Sequence, residues 1–176
     1  MDRTRWVLLV YRLPREPSRH RVAVWRKLKD LGALYLQDGV AALPEDAVTR
    51  EQMEWLQLRV QEAGGEATLW EARPGTAAEE KGLVEAFRSS REEAFGAIVT
   101  EAERIGRKAR MGGDGEALLK ELAKLEKEFR AERRRDYFRS PLRKEALATL
   151  KNTRLAVREA AAAAEEPPGL GARGEG

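Results

Sequence analysis

The chain has 176 residues, with 33 Lys and Arg against 30 Asp and Glu, one histidine and no cysteine. That length fits one domain, or one small domain with a helical extension, and a net charge of +3 makes the placement of charge more informative than its sum. Without thiols there are no disulfides, thiolate metal sites or cysteine nucleophile, and no apolar run approaches the roughly 20 residues of a membrane span, so a cytoplasmic protein with no membrane partner is expected.

The opening MDRTRWVLLVYRLP has an apolar run too short for a secretory signal. Trp6 to Leu13 reads as a strand, ended by Pro14. Its alternating faces are both apolar, Trp6, Leu8 and Val10 on one and Val7, Leu9, Tyr11 and Leu13 on the other. The sheet therefore needs cover on both sides, the second from a later helix or another subunit. Pro17 and Ser18 open a helix, proline suiting the first turn and serine its cap, and Gly32 closes it. His20, Val24, Leu28 and Leu31 share one face; Arg19, Arg26 and Lys29 project from the other. Ala33 to Gln37 and Val40 to Leu43 flank Asp38-Gly39, a hairpin turn that needs positive φ at both positions. A helix from about Glu45 to Ala63 buries Met53, Leu56, Val60 and Ala63 and stops at Gly64-Gly65. Glu66 to Ala72 is the last strand, before the Pro74-Gly75 break. The order β-α-β-β-α-β is the ferredoxin-like split βαβ arrangement, an antiparallel sheet with two helices on one face.

Ala77 to Arg110 reads as one long helix, with Val84, Phe87, Ala94, Ile98, Ala102 and Ile105 in a stripe that ends at Met111-Gly112-Gly113. Asp114 caps a second, to about Tyr137, carrying Leu118, Leu122, Leu125 and Phe129. After Ser140-Pro141 a third runs to about Glu165 and buries Ala146, Leu150 and Val157. The last two should form an αα-hairpin on the long helix. The fold class is α+β: a ferredoxin-like module over residues 1–75, an all-helical extension over 76–165, and a disordered tail over 166–176. Val48, Trp55 and Leu58 make a second apolar patch on the far side of the second helix. Either the chain's own C-terminal half or a partner protomer should meet it, the latter giving a homodimer.

Charge is placed unevenly. From Met1 to Gly32, nine Arg and Lys face three acids, while Glu45 to Gly64 carries Glu45, Asp46, Glu51, Glu54 and Glu62 against Arg50 and Arg59. The segment Arg15 to Arg21 is the candidate site. Free N–H groups at a helix start attract anions, and the forks of Arg15, Arg19 and Arg21, beside His20, suit phosphate, sulfate or chromate. Arg26 and Lys29 extend the cationic surface toward a phosphate backbone. The other reading leaves Arg15 and Arg19 solvated and stacks Arg21 beside Trp25 as packing. His20 lacks the companions that a catalytic triad or a metal site needs. Arg91, inside an apolar stripe, requires an acid partner. The basic run Arg133, Arg134 and Arg135 either touches nucleic acid or is solvated. No phosphate loop, paired carboxylates or zinc motif appears, so no catalytic residue, metal or cofactor is expected.

The stretch from Trp6 to Pro44 resembles the N-terminal domain of the chromate-resistance protein ChrB. The telling residues are Trp25-Arg26, Leu28, Leu31-Gly32, Gln37-Asp38-Gly39-Val40 and Leu43-Pro44. The likeness continues through Gly64-Gly65-Glu66-Ala67, Phe87, Arg91-Glu92-Glu93 and Arg135-Asp136-Tyr137-Phe138, covering roughly Trp6 to Ala160. It implies a regulatory or accessory protein of a chromate-resistance system; together with the basic first helix, the expected reading is a non-enzymatic protein that contacts operator DNA, or else chromate or another oxyanion, through Arg15, Arg19, His20, Arg21, Arg26 and Lys29. Family members carry a further C-terminal domain, so the chain is expected to act without it or to partner a separately encoded one. The alternative is a dimeric interaction module with no ligand of its own. More distantly, the first half resembles the ferredoxin-like module of PaaX-type repressors and of a small CRISPR-associated nuclease family. Those nucleases place a metal-binding aspartate at the end of the first strand, where this chain has Arg12, a cation that argues against their chemistry.

Overall fold

The structure, a computed structural model, describes residues 4–165. The elements follow in the order β1 (Trp6–Arg12), α1 (Ser18–Leu31), β2 (Leu34–Gln37), β3 (Val40–Pro44), α2 (Ala47–Glu62), β4 (Glu66–Ala72), α3 (Ala77–Arg110), α4 (Gly115–Arg134) and α5 (Leu142–Glu165). The expected tail, 166–176, lies outside the described residues. Two compact units divide inside α3, Met1–Arg88 and Ser89–Gly176. The sequence boundary at 75/76 marks where strands give way to helix.

In the first unit the four strands form one sheet in the order β2-β3-β1-β4, every neighbouring pair antiparallel. β1 is central because it is apolar on both faces. Opposed residues of an antiparallel pair share a face. Val7 and Leu9 therefore lie with Leu43 and Ala41, and Trp6, Leu8 and Val10 with Pro44, Ala42 and Val40. Val7, Leu9, Ala41 and Leu43 are buried with Val24 and Leu28 of α1 and Met53, Leu56 and Val60 of α2, the two-helix face of the ferredoxin-like arrangement. On the opposite face the ring of Phe87, from α3, tilts against Trp6 at 5.5 Å, but Val10 and Trp70 stay exposed. Cover of that face is partial.

Local chemistry explains the boundaries. α2 starts with a capping box, Thr49 N–H donating to Asp46 Oδ1 at 2.7 Å and Asp46 N–H to Thr49 Oγ1 at 2.9 Å. α1 lacks such a cap: Pro17 occupies the position without a side-chain bond, and Ser18 is the first helical residue, contrary to its expected capping role. Gly32 ends α1 in the left-handed region at φ 72°. The hairpin also departs from expectation. Gly39 alone has positive φ, 75°, so the turn is not the doubly left-handed type, and a register shift between Tyr35 and Gln37 takes up the difference. Close backbone approach requires glycine twice here. A Cβ at Gly39 would stand 2.5 Å from the Tyr11 carbonyl oxygen, and one at Gly65 would stand 2.5 Å from that of Arg12.

In the second unit, residues from α3, α4 and α5 bury one apolar cluster that includes Phe95, Ile98, Ile105, Leu122, Phe129 and Val157. Phe95 and Phe129 meet at 5.7 Å. Asp114 caps α4 as expected, accepting from Glu116 N–H at 3.0 Å and Ala117 N–H at 3.2 Å. α4 ends at Arg134, short of Tyr137, because Asp136 turns the chain: its carboxylate is buried and accepts the Ser140 N–H at 2.7 Å. Among the described residues there is no strand after Pro74, and no helix is long and apolar enough to cross a membrane.

Candidate functional site

The candidate cations on and before α1 do not converge. Successive helical residues are about 100° apart, so residues three, four and seven apart share a face. His20 falls on the core side with Val24, in a hollow shared with Arg59 and Glu62 of α2. Arg19 and Arg26, seven residues apart, project outward and are exposed, as is Arg15 in the preceding loop. Arg21 and Lys29 lie on a third row with Trp25. None of Arg15, Arg19, Arg21 and Arg26 makes a side-chain hydrogen bond or ion pair among the described residues.

At the start of α1 the Ser18 N–H already donates to the Glu16 carboxylate at 3.3 Å. An anion at this helix start must displace that carboxylate. Lys29 Nζ stands over the Trp25 ring at 4.9 Å, and Arg21 lines the same groove as Trp25. Trp55 is flanked by Lys27 Nζ at 5.6 Å and by the Arg59 guanidinium at 5.3 Å. Val48, Trp55 and Leu58 are 65%, 47% and 57% exposed.

Sequence reading missed a groove at the end of β1, of about 410 Å³, lined by Tyr11, Leu13, Arg21, Trp25, Tyr35, Asp38 and Gly39. The phenols of Tyr11 and Tyr35 share a hydrogen bond at 2.8 Å, and Tyr11 N–H donates to the Gly39 carbonyl at 2.8 Å. Burial first, then the hydrogen bond and charge of Tyr11, holds the Tyr35 phenol above its ordinary range, so it stays neutral. Two signals could have found the groove: the four-residue spacing of Arg21, Trp25 and Lys29, and the alternation that puts Tyr11 on the helix side of β1.

Arg12, the last residue of β1, meets Glu66 at 3.1 Å with both side chains in solvent. Arg91 finds its acid partner in Glu132, which also takes Arg135 at 2.9 Å. Arg133 and Arg134 are exposed. Among the described residues no group of three or more His, Asp and Glu side chains could hold a metal ion.

A family model described as "Protein ChrB, N-terminal" matches residues 21–164. The match begins at Arg21, so β1 and Arg15, Arg19 and His20 precede it, whereas the sequence resemblance extends back to Trp6. No curated protein and no solved structure matches the chain, and nothing in the comparisons adds to the likeness to PaaX-type repressors.

Proposed function

The chain belongs to the ChrB N-terminal family, which ties it to chromate resistance, and from that premise we propose that it is a non-enzymatic regulatory or accessory protein that grips DNA by its phosphates through α1. The observation that carries this reading is the set of exposed guanidinium groups at Arg15, Arg19 and Arg26, which have no side-chain partner among the described residues. Arg19 and Arg26 are about 10 Å apart along the helix axis, a spacing for successive sites on an extended polyanion rather than for one small oxyanion. Cations at a helix start also oppose the helix dipole, a local cost that a bound phosphate reverses. Glu16 on the Ser18 N–H further disfavours a small anion seated on the axis.

The test is a salt titration with duplex DNA from the protein's own operon. Wild-type affinity falls steeply with salt, and an Arg15/Arg19/Arg26 triple alanine variant lowers the log–log slope by roughly three. Chromate or sulfate that raises the melting temperature in wild type, with the rise erased by Arg19→Ala, would assign the helix to an oxyanion instead.

A second reading rests on the exposed patch at Val48, Trp55 and Leu58. A self-complementary surface that buries it would make the chain a dimeric interaction module. The acids at the α2 start contribute less to such pairing than their number suggests, because Arg5 at 3.1 Å and Arg50 at 2.9 Å already hold Glu45. On this reading Val48→Glu with Leu58→Glu converts a dimer into a monomer by light scattering. A wild type that is monomeric at high concentration removes it.

A further inference from the structure

The groove at the end of β1 holds a combination that contact with phosphates alone does not use. We propose that it binds a nucleotide, with the base laid against Trp25 and Tyr35, the phosphate on Arg21, and the amino edge of the base on Asp38. This goes beyond the duplex contact assigned to Arg15, Arg19 and Arg26, and it uses none of those side chains.

The argument starts from charge. Arg21 and Asp38 line one groove, yet they form no ion pair with each other or with any other described residue. A donor fork and a carboxylate acceptor thus line the same groove as the aromatic Trp25 and Tyr35. A bare oxyanion would satisfy Arg21 and be repelled by Asp38. An aromatic amine would satisfy Asp38 and leave the guanidinium idle. A nucleotide complements both, since it joins an anion to a planar ring that carries N–H donors.

The walls suit that ring. Trp25 and Tyr35 are 47% and 36% exposed, and about 410 Å³ falls within the usual range of small-molecule sites. Stacking on an aromatic side chain contributes about 1–3 kcal/mol per base. Lys29 Nζ, 4.9 Å from the Trp25 ring, adds positive charge beside that wall. The site is also preorganised. The bond from Tyr11 N–H to the Gly39 carbonyl fixes the turn that presents Asp38, and the phenol pair fixes Tyr35. A neutral Tyr35 adds no charge to repel the phosphate.

The carboxylate ranks the bases. Guanine offers two adjacent donors on one edge, adenine and cytosine offer one amino group, and uracil offers a single ring N–H. Guanine should therefore bind best and uracil worst. Such a nucleotide could be a free mononucleotide or an unpaired base in DNA, and duplex bases, stacked and paired, do not present this edge.

The experiment follows the Trp25 indole N–H by NMR in the full chain during titration with GMP, UMP, inorganic phosphate and a single-stranded oligonucleotide containing one guanine. GMP shifts the Trp25 signal and binds about tenfold or more tightly than UMP, because a hydrogen bond to a charged group is at stake. Asp38→Asn, which keeps a residue that turns accept, erases that preference, and Arg21→Ala weakens GMP by about tenfold. The Arg15/Arg19/Arg26 variant leaves GMP binding unchanged. An oligonucleotide that binds more tightly than GMP identifies an unpaired base as the source, and equal affinity identifies a free nucleotide. No Trp25 shift at millimolar GMP, the same shift with phosphate alone, or a guanine preference that survives Asp38→Asn overturns the proposal. Duplex binding without nucleotide binding sinks this site and spares the reading of Arg15, Arg19 and Arg26; the reverse pattern does the opposite.

Discussion

Phe95→Ala is expected to destabilise the helical unit by about 3–5 kcal/mol, the range for removing a fully buried phenyl group. Phe95 is 0% exposed, in a cluster drawn from three helices, and its ring meets Phe129 at 5.7 Å. Alanine removes the transfer free energy of the ring, its tilted contact with Phe129, and the filling of a space that helices cannot easily collapse. Phe95→Leu, which keeps most of the volume, should cost much less. Urea unfolding followed by far-UV circular dichroism reads both variants. Tryptophan fluorescence does not serve, because Trp6, Trp25, Trp55 and Trp70 all lie in the first unit. A loss below about 1 kcal/mol for alanine would mean that Phe95 does not organise this core.

Glu132→Ala is the second large effect. Its carboxylate bridges Arg91 and Arg135, and the three side chains are only 17%, 14% and 20% exposed. Removing the acid leaves the poorly hydrated Arg91 guanidinium without its carboxylate and takes one of Arg135's partners. A fully buried pair broken this way loses about 3–5 kcal/mol; residual water contact here brings the expected loss to about 2–3 kcal/mol. Replacing both Arg91 and Glu132 by methionine should recover much of it, because no charge of the Arg91–Glu132 pair is then left behind. A double-mutant cycle on Arg91 and Glu132 checks this: single losses that add without coupling would show that the pair is solvated surface.

The fold was legible because its signals are local. Alternation on β1, the glycines at Gly32 and Gly64, and the Pro74-Gly75 break delimit the elements, and the β-α-β-β-α-β order restricts the topology. What escaped depended on choices between near neighbours. In the α3 stripe, Ala94 and Phe95 are both compatible with a helical period, and only packing against Phe129 selects the aromatic residue. The hairpin dipeptide was correctly placed, but its φ pattern depended on a register shift that no dipeptide encodes. The candidate site was half legible. Composition revealed the cations of α1, but helical rotation sends Arg19, His20 and Arg21 in three directions. The groove joins residues from β1, α1, β2 and the hairpin turn, so no single segment announces it.

The two glycines at the end of β1 constrain how this surface can change. Gly39, in the turn before β3, approaches the Tyr11 carbonyl, and Gly65, just before β4, approaches that of Arg12, each at a distance no Cβ can occupy. A strand crowded on one edge can usually shift toward the other; here both edges are closed at consecutive residues. Side chains around the rim can be exchanged one at a time and new specificities explored, while the strand end itself accepts no step in either direction. In a lineage, the contacts of this surface can drift freely around a backbone that stays fixed.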